Sequence, residues 1–249
     1  MRAMKSSNPV MTGKIYEKAG LATDHGVMTI NGTLNKIGLM LLLLIVSASY
    51  TWNLVLGDDP SRVGTLAIVG GIGGFIVAMI TVFSPKSSPY TAPVYAILEG
   101  MFLGAISAVI NAKYPGIAFQ AVLLTIGTLF TMLFLYRSGT IRATPKFRRG
   151  VMMATGAVFF AYMISWILSM FGMSVGFMHS SGPLGIIISL VIIVIAALNL
   201  IMDFDFIEKG SQMGAPKYME WYGAFGLMVT LIWLYIEFLR LLSRFAGRD

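Results

Sequence analysis

The stretch GVMMATGAVFFAYMISWILSMFGMSVGFMHSSGPLGIIISLVIIVIAALNLIM, residues 150–202, contains no Asp, Glu, Lys or Arg. A hydrocarbon core of about 30 Å takes about 20 apolar residues at about 1.5 Å rise each, so this run is too long for one crossing and supplies two. The break falls in SVGFMHSSGP at 174–183, where Gly, Ser and Pro collect. Over the whole chain 57% of residues are hydrophobic and 12% charged, whereas about a quarter of a soluble domain is charged. No water-soluble fold of this size hides that much apolar surface, so the chain reads as an integral membrane protein.

Working outward from that block, the same argument yields five more spans. Toward the amino terminus, apolar runs at 116–136, 93–111, 63–84 and 37–57 are separated by short polar turns, GDDPSR at 57–62 among them. Toward the carboxyl terminus, DFDFIEKGSQMGAPKYME at 203–220 precedes a last apolar run at 221–243. With 150–171 and 184–205 these make an all-α bundle of seven transmembrane helices in one membrane domain, 37–249. A polar arm, 1–36, precedes it and carries Arg2, Lys5, Lys14, Lys18 and Lys36 without the apolar core of a signal peptide.

Charge sets the expected orientation. The 18 Lys+Arg against 11 Asp+Glu lie between apolar blocks, not on one face, so topology accounts for them and nucleic acid does not. Alternating the loops leaves only Arg62, Lys113, Arg240, Arg244 and Arg248 on the outer side. The arm and the loop RSGTIRATPKFRR at 137–149 are therefore expected in the cytoplasm. The basic tail is the exception: either it lies outside after a full seventh span, or a re-entrant seventh segment returns it inside.

The composition excludes much site chemistry. There is no cysteine, and the two histidines are His25 and His179, so zinc, iron–sulfur and thiol chemistry are unsupported. Glycine-rich GGIGG at 70–74 lacks the strand and Lys-Ser/Thr of a phosphate loop and reads as a packing surface, as do Gly100 and Gly104. With no nucleophile, metal-ligand set or cofactor motif, the reading is a non-enzyme without a bound cofactor.

What stands out is acid inside apolar runs. Glu99 lies within the third span, where a charged side chain costs on the order of 3 kcal/mol at a helix centre. It reads either as a protonated group hydrogen-bonded to a neighbour or as a titrating, ion-contacting one. Asn199 and Asp203, four apart, form an oxygen-bearing stripe on the sixth span, and Asp205 points the other way, toward headgroups or a loop. Thr230 and Glu237 share a face of the seventh. At 1.5 Å per residue Glu99 is about 10 Å deep and Thr230 about 13 Å, so these two could meet Asn199 and Asp203. Glu237, about 24 Å deep by the same rise, stands apart as a partner for Arg240 or Arg244. His179 is expected to be exposed in an outer loop.

Four stretches, PVYAILEGMFLGAISAV, LYRSG, LNLIMDFDFIEKG and LMVTLIWLYIEFLRLL, occur in this order from residue 93 to residue 242, and together they resemble the Bax inhibitor family, in its prokaryotic branch. The resemblance implies a bundle with helix seven at the centre, in a bacterial inner membrane with a cytoplasmic amino terminus. It implies a pH-sensitive Ca²⁺ leak gated by two aspartates, with roles in ion homeostasis and stress response. The first aspartate carries over to Asp203, with Asp205 the alternative. The second position falls on Thr230, so the chain departs from the paired pattern. Glu99 is the expected substitute, forming with Asp203 a weak, transient Ca²⁺ site in which two close carboxylates share protons. The alternative implied by bacterial relatives is a non-conducting modulator of a membrane protease or stress-response protein.

Overall fold

A computed structural model describes residues 26–57, 60–172 and 182–247. The first 25 residues, His25 and His179, the 173–181 break and Arg248 lie outside these. Among the described residues seven α-helices follow one another: α1 (Ile30–Leu56), α2 (Pro60–Phe83), α3 (Ser88–Lys113), α4 (Ile117–Arg137), α5 (Pro145–Met170), α6 (Pro183–Gln212) and α7 (Met219–Ala246), with a 3₁₀ turn, Pro85–Ser87, leading into α3. All seven are long and apolar enough to cross a membrane.

Several helices outrun their charge-free cores, and local chemistry says why. α1 starts at Ile30 because Thr29 caps it, its hydroxyl accepting from the Gly32 amide at 2.9 Å. α5 starts at Pro145 behind Thr144, whose hydroxyl accepts from the Phe147 amide at 3.2 Å, with proline at the first helical position where a missing N–H costs nothing. Lys146, Arg148 and Arg149, expected in a loop, thus stand on its first turns. α6 runs on past Asp205 to Gln212, supported by the i,i+4 pairs Asp205–Lys209 at 2.7 Å and Glu208–Gln212 at 3.1 Å. At 30 residues it is about 45 Å long, well beyond the hydrocarbon thickness. Absence of charge marks the depth in lipid, whereas helix ends are set by caps and side-chain pairs.

α7 is the central helix. It packs against α1, α3, α4 and α6, and α5 reaches it through Tyr162, whose hydroxyl donates to Glu237 at 2.7 Å. Of its apolar span 67% is buried, against 11% for the peripheral α5. α2 is packed on α3 and α1. In the first two turns of α7 an aromatic chain crosses the core: Tyr95 of α3 meets Phe225 edge-on at 4.9 Å, and Phe225 leads through Tyr222 to Phe206 of α6. Large apolar side chains such as Leu42, Ile45, Ile72, Phe75, Phe130 and Trp166 face outward. That coat is a liability in water and the natural surface in lipid.

The glycines work as the sequence suggests, with one difference. A Cβ on Gly100 or Gly104 would collide with Leu44 or Ala48 backbone of α1, and one on Gly70 would lie 2.6 Å from the Leu98 carbonyl oxygen of α3. Gly74 instead makes room for a carboxyl: its Cβ would lie 2.8 Å from Glu99 Oε1.

α7 is one continuous helix of 28 residues, about 42 Å long, long and apolar enough for a full span and without the break that a re-entrant segment needs. Its two ends belong to different ends of the bundle. Tyr218, just before it, accepts through its carbonyl from Ser88 Oγ at 3.0 Å, whereas Gly247 lies beside Tyr114 in the α3–α4 turn.

Candidate functional site

The sixth span holds the most deeply enclosed acid expected from the sequence. Asp203 is fully buried and Asn199 nearly so. Asn199 turns toward α5, its Nδ2 donating to Thr155 Oγ1 at 2.9 Å and to the Ile195 carbonyl at 2.8 Å. Asp203 is flanked on its own helix by the buried Met202, Phe206 and Ile207. Nine residues of helix separate it from Gln212, so it sits about 14 Å from the end of α6.

Asp205 is not left to headgroups. It pairs with the Arg148 guanidinium of α5 and with Lys209 Nζ at 2.7 Å. Arg148 also donates to the Ala143 carbonyl at 2.9 Å. Beside it the Tyr136 hydroxyl of α4 donates to Glu208. These contacts tie α4, α5 and α6 together at one end, just outside Asp203.

Glu99 stands elsewhere. Its carboxyl lies half-buried against Gly74 of α2, and it makes no hydrogen bond or ion pair with Asn199, Asp203 or Thr230. Its helix α3 and the Asp203 helix α6 both pack on α7 and barely on each other, with the aromatic chain from Tyr95 to Phe206 running between them. The expected Glu99–Asp203 pair is therefore not assembled: counting along helices estimates depth, but it does not fix position around α7. Among the described residues no three His, Asp or Glu side chains are grouped to hold a metal ion. Thr230 is buried and closes on its own helix, donating to the Gly226 carbonyl at 3.3 Å. A mid-helix hydroxyl commonly resolves its polarity this way.

Glu237 is buried in an ion pair with Arg240 at 3.0 Å, and the Tyr162 hydroxyl donates to it while accepting from Arg240. The guanidinium also lies 5.0 Å from the Tyr162 ring centre, a cation–π contact. One turn on, the buried Arg244 donates to the Gly185 carbonyl and to Ser189 Oγ of α6. Arg240 is thus the partner of Glu237, and the far end of α7 is pinned to α5 and α6.

The sequence did not single out Glu220. It is wholly buried at the start of α7, where Lys36 Nζ reaches it at 2.7 Å and Lys217 Nζ at 3.1 Å. The Thr29 amide and hydroxyl donate to it at 3.0 and 2.9 Å. No periodicity links residue 220 to residue 29. The one local sign is an acid in the first turn of an apolar helix, where the helix dipole favours it. Next to it Tyr218 is half-buried, and burial pushes its hydroxyl above the ordinary tyrosine range.

A family model described as Bax inhibitor 1 like matches residues 8–247. No curated protein and no solved structure matches the sequence. A buried α7 packed among six other apolar helices agrees with that match, which takes in every described helix, and the chain belongs to the Bax inhibitor 1 like family.

Proposed function

We propose that the protein passes or regulates a cation leak across a bacterial inner membrane, with Ca²⁺ as the first candidate ion, Asp203 as the gating group and the amino terminus in the cytoplasm. The observation that carries this reading is the complete burial of Asp203. An ionisable side chain enclosed in a membrane bundle costs several kcal/mol relative to an apolar one and is a functional feature by default. Just outside it the Arg148–Asp205–Lys209 pairs and the Tyr136–Glu208 bond close the end of α6 against α4 and α5, as expected of a closed state. A single carboxyl whose charge depends on protons would make such a leak pH-sensitive, without the second carboxylate that Glu99 was expected to supply.

Purified protein in liposomes loaded with a Ca²⁺ dye tests the reading. Flux above that of empty vesicles, dependent on pH and changed at least threefold by Asp203→Asn, is the expected result. Flux equal to that of empty vesicles at every pH would remove the basis for it.

A second reading is a non-conducting modulator of a membrane protease or stress-response protein. It is favoured by the exposure of Arg137, Arg142, Lys146 and Arg149 at one end of the bundle, a basic surface suited to an acidic partner. Crosslinking in native membranes separates the two, because a modulator keeps its partner in Asp203→Asn and loses it when Arg142, Lys146 and Arg149 are each replaced by Glu.

A further inference from the structure

We propose that the segment Gly26–Thr29 and the Glu220 carboxylate form a releasable clamp on the amino-terminal end of α7, so that closing or releasing this segment controls how that helix is seated. The functional consequence, control of flux, rests on the leak reading above. The clamp itself does not.

Three kinds of contact converge there. First, the segment adds a short antiparallel bridge to the α6–α7 connection, with Val27 opposite Pro216, the Met28 amide donating to the Ala215 carbonyl at 2.7 Å and the Lys217 amide to the Gly26 carbonyl at 3.2 Å. These two bonds flank Val27 and Pro216, which therefore form the non-hydrogen-bonded pair, and a proline there gives up no ladder bond. Second, Met28 is buried, and its Cε lies where it would be 3.5 Å from a Cβ on Gly223 of α7. The methionine fills the notch that this glycine leaves.

Third, Glu220 joins two helix beginnings. It stands in the first turn of α7 and accepts from the Thr29 amide and hydroxyl at the start of α1, and a carboxylate is favoured at both positive helix ends. Gly32 is required for this, since a Cβ there would overlap the Glu220 carboxyl. Lys36 and Lys217 complete the charge balance from partly exposed positions. Among the described residues the segment itself is held to the connection by only two backbone bonds. A unit with few bonds and a solvent-facing side opens at lower free energy than the core around it. Its buried carboxylate and methionine make opening all-or-none, because leaving either half in place strands a charge or an apolar notch.

The absence of cysteine permits a direct test. Opposed residues of a non-hydrogen-bonded pair have Cα atoms about 4.5 Å apart, within the range a disulfide spans. The double variant Val27→Cys/Pro216→Cys should therefore close the clamp covalently. Amide hydrogen exchange over residues 213–226 is expected to slow at least tenfold in the oxidised form against the same protein reduced. Equal exchange in the two forms would overturn the proposal. In Glu220→Gln, exchange over 26–36 and over 213–226 is expected to rise together. A rise confined to 26–36 would make Glu220 merely a cap of α1 and likewise overturn the clamp. In liposomes the oxidised form should conduct at least fivefold less than the reduced form. Should the unmodified protein conduct nothing, the leak reading falls while the exchange comparison still decides the clamp.

Discussion

At the scale of single residues, this bundle handles buried acids by giving them partners from distant parts of the chain. Glu237 was legible as a partner of Arg240 or Arg244, both near it on one helix, and the structure pairs it with Arg240 at i,i+3; Tyr162 was not legible, since nothing local places residue 162 beside residue 237. Truncating one member of a buried pair strands the other, at a cost of about 3–5 kcal/mol when both are enclosed. Arg240 is 38% exposed, so water offsets part of this, and Arg240→Ala is expected to destabilise by about 2 kcal/mol. Thermal unfolding in detergent checks it, with Tyr162→Phe expected to cost about half as much because a hydrogen bond is lost and the ion pair stays. Equal melting of Arg240→Ala and the parent protein would mean that Glu237 is solvated.

Among elements, the contacts that decide helix packing are between backbones, and glycine is their signature. Gly104 abuts Ala48 of α1, whereas Gly127 on α4 has open space where a side chain would go. The sequence marks Gly104, four residues after Gly100, as a packing position and gives Gly127 no such partner on its face. Gly104→Ala should therefore destabilise by about 2 kcal/mol, as overpacking against immovable backbone does. Gly127→Ala should be neutral or stabilise by up to about 1 kcal/mol through helix propensity alone. Unfolding of the two variants side by side measures the contrast, and similar melting temperatures would mean that α1 and α3 are not in close contact. The extended ends of α5 and α6 make the complementary point: hydropathy located their apolar middles, and only the Thr144 cap and the Asp205–Lys209 pair show where the helices stop.

For the whole molecule, an odd number of full spans puts the loop at 137–149 and the end of α7 on opposite sides. Single cysteines introduced at Ser138 and Gly247 should therefore react with a membrane-impermeant maleimide from opposite faces of sealed vesicles. Labelling of both from one face would contradict a seven-span chain. The number of helices, their approximate positions and their lipid environment were determined by the sequence itself, because the cost of charge in hydrocarbon acts on each segment independently of its neighbours. The family was legible in the order of four motifs. Which acids meet was not: Glu99 and Asp203 were expected to meet, yet both their helices pack on α7 and barely on each other, and partners of Glu220 come from the other end of the chain. Depth follows from one-dimensional counting along a helix, but azimuth around a bundle exists only once helices pack. The tertiary structure alone therefore decided that Asp203 is enclosed without Glu99 and that the amino-terminal segment grips α7.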